Sequence, residues 1–283
     1  MTASSTIPGF MLVTNRLRSI GPIAGVVRAA MDGGVQAVQV RENDLPATQL
    51  IELARQIREV VPAEVPLLIN GSAAIAGELG IGLHLPESMS LTNIDRTKMA
   101  AGTLIGRSVH SPGSARRSRG VDYVIAGHVY DTSSKQGIPV LGLAGLAAIV
   151  MAAPCPVLAI GGVTPDRVHD VLATGAHGIA VMSGICASDD PFRKAREFVD
   201  ALNGARMIET TETSAETLEV QVNGKAVELR SGTTVSGFLE QKELHQNMVV
   251  VEHNGQILKK GQFADIEIRA GDVIEVVHFV GGG

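Results

Sequence analysis

Eight short apolar runs recur between residues 10 and 185, separated by stretches long enough to carry a helix back across a sheet. They are FMLVTN (10–15), AVQVRE (37–42), PLLINGS (66–72), GLHLP (82–86), TLIGRSVH (103–110), VDYVIAGHV (121–129), PVLAIGGV (156–163) and GIAVMSGI (178–185). Parallel strands need such crossovers, because a tight hairpin cannot join them. The stretches GPIAGVVRAAMDGG (21–34), PATQLIELARQIREVV (46–61), LAGLAAIVMAA (143–153) and TPDRVHDVLATGA (164–176) space apolar residues at the helical period. Strands this uniformly apolar are buried on both faces. The α/β pattern therefore predicts a closed (β/α)8 barrel rather than an open doubly wound sheet.

The pattern stops near Ala205. Residues 204–216, GARMIETTETSAE, lose periodicity and gain Thr, Glu and Ser, which reads as a flexible linker. A different grammar follows: TLEVQV, then the hairpin pair Asn223-Gly224, KAVELR, a helix from about Thr234 to Leu244, MVVVEHNGQI with a second pair at Asn254-Gly255, and DVIEVVHFVGGG. Strands around one helix in so short a segment predict a small α+β domain of the ubiquitin-like β-grasp kind. The expected organisation is a barrel over 1–203, a linker over 204–216 and a β-grasp domain over 217–283.

Composition narrows the function classes. With 24 Lys and Arg against 29 Asp and Glu, net charge −5, the chain lacks the basic excess of a nucleic-acid binder. It shows neither an apolar run of membrane-spanning length nor a secretory leader, so a cytoplasmic protein is expected. Cys155 and Cys186 lack zinc-site spacing and read as packing thiols; no metal is expected. The number of assembled chains stays open, a homo-oligomer included.

A parallel barrel gathers the C-terminal ends of its strands on one rim, whatever their separation in sequence. That rim holds Asn15, Arg41 with Glu42, Asn70, His84, Ser108 with His110, His128, Gly161 with Gly162, and Ser183. Gly161-Gly162 is either a plain left-handed turn or, with the amides around Met182-Ser183-Gly184, a phosphate cup after strands seven and eight. Arg41 either holds a carboxylate or phosphate or forms a salt bridge at the barrel mouth with Glu42 or another acid. Asn70 either orients a ligand or caps the next helix. His128, directly after an apolar strand, suits proton transfer near neutral pH. His84 and His110 share the rim as weaker candidates for proton transfer or as supporting residues. Lys135, in the polar loop DTSSKQG, reaches a substrate anion or is a solvated loop residue. The remaining histidines, at 169, 177, 245, 253 and 278, receive no chemistry.

LVTN, VQVRE, LLINGS, LHLP, IGRSVHS, DYVIAGHVYDT, AIGGVTPDRV and GIAVMSGI together resemble the thiamine phosphate synthase superfamily over about residues 10–203, and within it the TenI-type thiazole tautomerases. Synthases of that superfamily carry Asn-Asp where this chain has Asn70-Gly71, and a further Asp where it has Pro86-Glu87-Ser88. Those aspartates help hold a magnesium pyrophosphate. His128 in GHVYDT matches the histidine that the tautomerase pattern uses as acid and base. Residues 217–283 resemble ThiS sulfur carriers, including VNGK, the Ala270-Gly271-Asp272 turn and the terminal Gly282-Gly283.

The resemblance implies a bifunctional protein of thiamine-thiazole biosynthesis. Its barrel isomerises a dearomatised carboxythiazole phosphate without a cofactor. His128 moves the proton, Arg41 and Asn70 meet the carboxylate, and Gly161, Gly162 and Ser183 meet the phosphate, with Ser108, Lys135 and Met182 also in contact. The tail carries sulfur as a Gly283 thiocarboxylate, made by a ThiF-type adenylyltransferase and delivered to a ThiG-type thiazole synthase. Two alternatives stand beside this: a thiamine phosphate synthase that couples thiazole phosphate to a pyrimidine pyrophosphate, and a barrel that only binds product.

Overall fold

A computed structural model describes residues 7–89, 96, 99–132, 137, 139–213, 217–242 and 244–278. Two compact units divide the chain, Met1–Arg206 and Met207–Gly283.

In the first unit all eight apolar runs form strands: β1 (Phe10–Val13), β2 (Ala37–Val40), β3 (Leu67–Asn70), β4 (Gly82–Leu85), β5 (Ile105–Val109), β6 (Tyr123–Gly127), β7 (Val157–Ile160) and β8 (Gly178–Val181). They pair in parallel in sequence order, and β8 closes on β1 with Leu12 opposite Val181. The expected barrel is present.

Around it run α1 (Ile23–Asp32), α2 (Ala47–Val60), α3 (Ala73–Leu79), α4 (Pro112–Arg116), α5 (Gly142–Ala152), α6 (Val168–Ala173), α7 (Ser183–Cys186) and α8 (Pro191–Thr213). Helix α1 buries Ile23, Val26, Val27 and Ala30, one face at the helical repeat. Side-chain parity splits the strands between two cores. Val38, Val40, Leu83 and Leu85 face the helices, whereas Met11, Val13, Ala37, Leu68, Tyr123, Ile125, Leu158 and Ala180 fill the barrel interior.

Helix α8 corrects the linker expectation. It runs to Thr213, through most of the segment read as flexible coil. Ala195, Phe198, Leu202 and Ala205 are all buried, and the Phe198 ring lies 5.6 Å from that of Phe10, so the helix is anchored on β1. Gly204 lies inside this helix, and glycine within a helix costs only about 1 kcal/mol relative to alanine, less than burial of a single large apolar side chain gains at ~1.5–3 kcal/mol.

The second unit has strands β9 (Thr217–Val222), β10 (Lys225–Arg230), β11 (Val249–His253), β12 (Gln256–Ile257) and β13 (Val273–His278), ordered β10-β9-β13-β11-β12, with helix α9 (Val235–Gln241). Asn223 and Asn254 have φ of 49° and 51°, followed by Gly224 and Gly255 at 73° and 81°. Both expected pairs therefore make the left-handed two-residue turns that suit a hairpin. Val235, Phe238 and Leu239 of α9 pack against Val220, Leu229, Val251 and Ile274 of the sheet. This is the mixed sheet and single helix of a β-grasp domain.

Candidate active site at the barrel mouth

Interior-facing positions at the C-terminal strand ends divide into two halves. On β2 to β5 they are Gln39, Asn70, His84 and Ser108; on β1, β7 and β8 they are Val13, Ile160 and Met182, the last just beyond β8, while β6 ends in Gly127 with the interior Ile125 two residues before it. One half of the floor offers hydrogen bonds and the other offers apolar contact. Such a floor suits a flat ring that carries polar groups on one side.

The polar half is tightly wired. Gln39 is 2% exposed and donates through Nε2 to Asn70 Oδ1 at 3.2 Å, while Asn70 Nδ2 donates to Asn43 Oδ1 at 3.1 Å. Ser72, not Asn70, caps α3, accepting from the Ile75 amide at 3.3 Å, so the capping reading of Asn70 is corrected. His84 is buried between Tyr123 Oη at 3.1 Å and Ser108 Oγ at 2.9 Å. Burial, aided by the nearby Arg41 charge, pushes its pKa down to about 3. A ring held neutral and doubly bonded in this way is a supporting group rather than a proton shuttle at neutral pH.

Arg41 and Glu42 part company, against the reading that pairs them. Glu42 is buried and accepts from Thr14 Oγ1 at 2.7 Å and from the Arg16 amide at 3.0 Å. The Arg41 amide donates to Thr14 Oγ1, which fixes its backbone, while its guanidinium is exposed and forms no salt bridge among the described residues. A cation fixed at its root and unpaired at its tip remains available to an anion.

His128 directly follows β6 and is 5% exposed. Gly161 and Gly162 have φ of 97° and 67°. A Cβ on Gly161 would lie 2.3 Å from the Cβ of His128, and one on Gly162 would lie 2.6 Å from the Asp131 carbonyl oxygen. Both glycines are therefore required twice, for their φ and for the approach of the His128 loop. The amides of Gly161 and Gly162 donate to no group among the described residues. The Gly162 carbonyl accepts from Arg167 Nη1 at 2.8 Å, and that guanidinium lies 4.5 Å over the Tyr130 ring. The β7 loop and the His128 loop are thus clamped together from outside. Ser183 opens α7 on the neighbouring strand end, preceded by Met182, whose sulfur receives Asn15 Nδ2 at 3.8 Å.

Lys135, Gly282 and Gly283 lie outside the described residues. The structure thus brings Arg41, Asn70, Ser108, His128, Gly161, Gly162, Met182 and Ser183 to one mouth. Sequence reading missed Gln39, Tyr123, Tyr130 and Arg167. Gln39 was detectable from parity, since it shares the interior face of β2 with Ala37. Burial pushes the Cys155 and Cys186 thiols up to about 11, which keeps them protonated and in packing roles. Among the described residues no three His, Cys, Asp or Glu side chains cluster as a metal site, and no helix is long and apolar enough to cross a membrane.

Residues 10–185 match the family model described as thiamine monophosphate synthase (TMP-TENI), and residues 220–283 match the ThiS family. Thiamine-phosphate synthase of Natronomonas pharaonis is 36% identical over 204 residues, covering 69% of this chain and 95% of that protein. A putative thiamine-phosphate synthase of Geobacter sulfurreducens is 39% identical over 198 residues, covering 68% of the chain and 92% of that protein. Among solved structures, thiamine phosphate pyrophosphorylase from Pyrococcus furiosus superposes with a TM-score of 0.61 at 28% identity, covering 69% of the chain and 96% of that structure.

Proposed function

The chain belongs to the thiamine monophosphate synthase (TMP-TENI) family and ends in a ThiS-family domain, and from that premise we propose that the barrel is a thiazole tautomerase acting on a carboxythiazole phosphate. The observation that carries the reading is the approach of His128 to Gly161: His128, nearly buried, sets its Cβ against a loop whose amides donate to no described group, beside a floor half polar and half apolar.

The reaction is redox-neutral. His128 accepts the proton from the ring carbon that bears the carboxylate, the C–H electron pair enters the ring system, and the exocyclic double bond takes a proton at its outer carbon. Aromaticity supplies the driving force, so the protein has to position one ring and move one proton. Arg41 and Asn70 meet the carboxylate, with Ser108 beside them on the polar floor. The amides of Gly161, Gly162 and the Met182-Ser183 turn meet the phosphate, and Lys135 closes over an anion. No cofactor enters. In the small domain, Gly283 becomes a thiocarboxylate after adenylation by a ThiF-type enzyme and passes sulfur to a ThiG-type thiazole synthase, with Gly282 giving the tail its slender approach. A cytoplasmic location accords with that pathway.

The relatives' names favour a second reading, in which the barrel couples thiazole phosphate to a pyrimidine pyrophosphate as thiamine-phosphate synthases do. That reaction needs magnesium at the ends of β3 and β4. Here those ends carry Asn70-Gly71 and Pro86-Glu87, and Glu42, the nearest buried carboxylate on β2, is already taken by Thr14 and Arg16. Glu87 alone does not make a diphosphate-magnesium site, so the described donor set does not fit the metal.

One experiment separates the two. Purified full-length chain is given the carboxythiazole phosphate in deuterated water and followed by NMR, then given pyrimidine pyrophosphate with magnesium and thiazole phosphate. Isomerisation with deuterium incorporation, insensitive to EDTA, is the expected result. Magnesium-dependent thiamine phosphate without isomerisation would move the barrel to the second reading.

A further inference from the structure

Three successive strand ends, those of β4, β5 and β6, are joined by a short chain of polar contacts that the proposed chemistry does not use. Glu87 follows β4, and its Oε2 stands 3.8 Å from Nε2 of His110, just beyond β5. The other ring nitrogen of His110, Nδ1, bonds the carbonyl oxygen of Gly127, the last residue of β6. A carbonyl only accepts, so Nδ1 must carry the hydrogen and Nε2 is the atom turned to Glu87. His110 is held in turn through its own amide, which donates to Oγ of the buried Ser114 at 3.3 Å, within the capping box of α4.

The carbonyl of Gly127 belongs to the peptide that carries His128. Beyond His128 the main chain is held by backbone partners: Leu141 N donates to His128 O at 2.9 Å, and Val129 N donates to Ile160 O at 2.9 Å. The bond from His110 is a side-chain anchor on the other flank, and a point substitution can remove it without cutting the chain. His110 itself has a side chain 48% exposed, against 5% for His128 as a whole, so it lies nearer the surface than His128.

We propose that His110 is a positioning residue that sets the orientation of the His128 ring through the Gly127 peptide, with Glu87 orienting His110. The inference rests on the reading of His128 as the proton shuttle. A misplacement of about 1 Å at a reacting group costs as much as ~100-fold in rate. Loss of this anchor therefore acts on turnover more than on binding, because the Arg41, Asn70 and phosphate contacts lie on other strands and Ser108, on β5 itself, is held by its own bond to His84.

The test uses the full chain with His110→Ala, His110→Asn and His110→Gln. Asparagine can place an amide N–H near the position of Nδ1, whereas glutamine places it one bond farther out. Turnover of the carboxythiazole phosphate and the imidazole nitrogen shifts of His128 are measured together. The expected result is a kcat lower by ~10 to 100-fold for alanine and glutamine with KM little changed, recovery by asparagine, and His128 signals displaced in alanine and restored in asparagine. Equal impairment of asparagine and alanine, or wild-type turnover with unmoved His128 signals in alanine, would overturn the proposal. If the alanine variant does not fold, the contrast between asparagine and glutamine decides in the same way. If wild type shows no turnover, the shuttle reading of His128 fails. The His128 signals then judge the positional link alone, with displacement supporting it and constancy overturning it.

Discussion

The methylene of His128 and the α-carbon of Gly161 occupy adjoining space, and a methyl group added at Gly161 would fall 2.3 Å from the His128 Cβ. Gly161→Ala is therefore expected to displace the shuttle and the phosphate loop together. Its turnover and its phosphate affinity, read by calorimetric titration with inorganic phosphate, should both fall. His128→Ala should separate those readouts, with phosphate binding retained and isomerisation reduced by ~100 to 10,000-fold; a variant turning over at the wild-type rate would pass the role to another group. His84 makes a prediction in pH. Its pKa is about 3 in the fold against 6.5 when unperturbed, through burial first and the Arg41 charge second. Between those values the unfolded chain binds the extra proton, so stability is full above about pH 6.5 and is lost as pH falls toward 3, at roughly 1.4 kcal/mol per pH unit for this one group. Urea unfolding of His84→Gln at about pH 7 and about pH 5 should show a shallower loss than wild type; an equal loss would mean that His84 is not the titrating group. At this scale the rim residues were legible because a parallel barrel sends all strand ends to one side. Gln39 and Tyr123 were not, because strand ends draw the eye and interior parity earlier in the strand does not: Gln39 comes just before the last residue of β2, and Tyr123 opens β6.

Barrel strands four or five residues long were readable as elements because both of their faces are buried, leaving unbroken apolar runs between polar turns. The Asn-Gly turns were readable for a different reason, since few residues tolerate the φ that Asn223 and Asn254 adopt. Helix α4 (Pro112–Arg116) escaped notice, and α3 (Ala73–Leu79) was expected only as the helix that Asn70 caps; each is too short to display a period. Helix α8 misled in the opposite sense. Among the described side chains of α8 the last buried one is Ala205, and the segment that continues to Thr213 is rich in Thr and Glu, which reads as linker rather than helix. A Cβ at Gly204 would meet nothing within 4 Å. Gly204→Ala should therefore stabilise the barrel unit by about 1 kcal/mol in chemical unfolding. No gain, or a loss, would show that the helix is broken there in solution.

On the scale of the whole chain, the cores of the two units share no residue among the described ones: the barrel clusters end at Ala205 and the β-grasp cluster begins at Val220, with Leu218 packed against it. Calorimetry should resolve two unfolding transitions, and a cut near Glu212 should leave both. Removal of Gly282 and Gly283 should abolish thiocarboxylate formation, read by intact-mass spectrometry as one oxygen not replaced by sulfur, while isomerisation of free substrate continues. A loss of isomerisation in that truncation would place the tail in the barrel's chemistry. Closure of β8 onto β1 has one more consequence, in the order of synthesis. The barrel mouth is incomplete until the strand ending at Val181 has been made, and the strands of the second unit, the last of them ending at His278, follow it in the chain. At about 5 to 20 residues per second, the ribosome spends several seconds between those two events. The barrel therefore has its full set of strands before the sheet of the second unit can form, so a nascent chain stalled between Val181 and Thr217 holds every barrel strand and none of the second sheet.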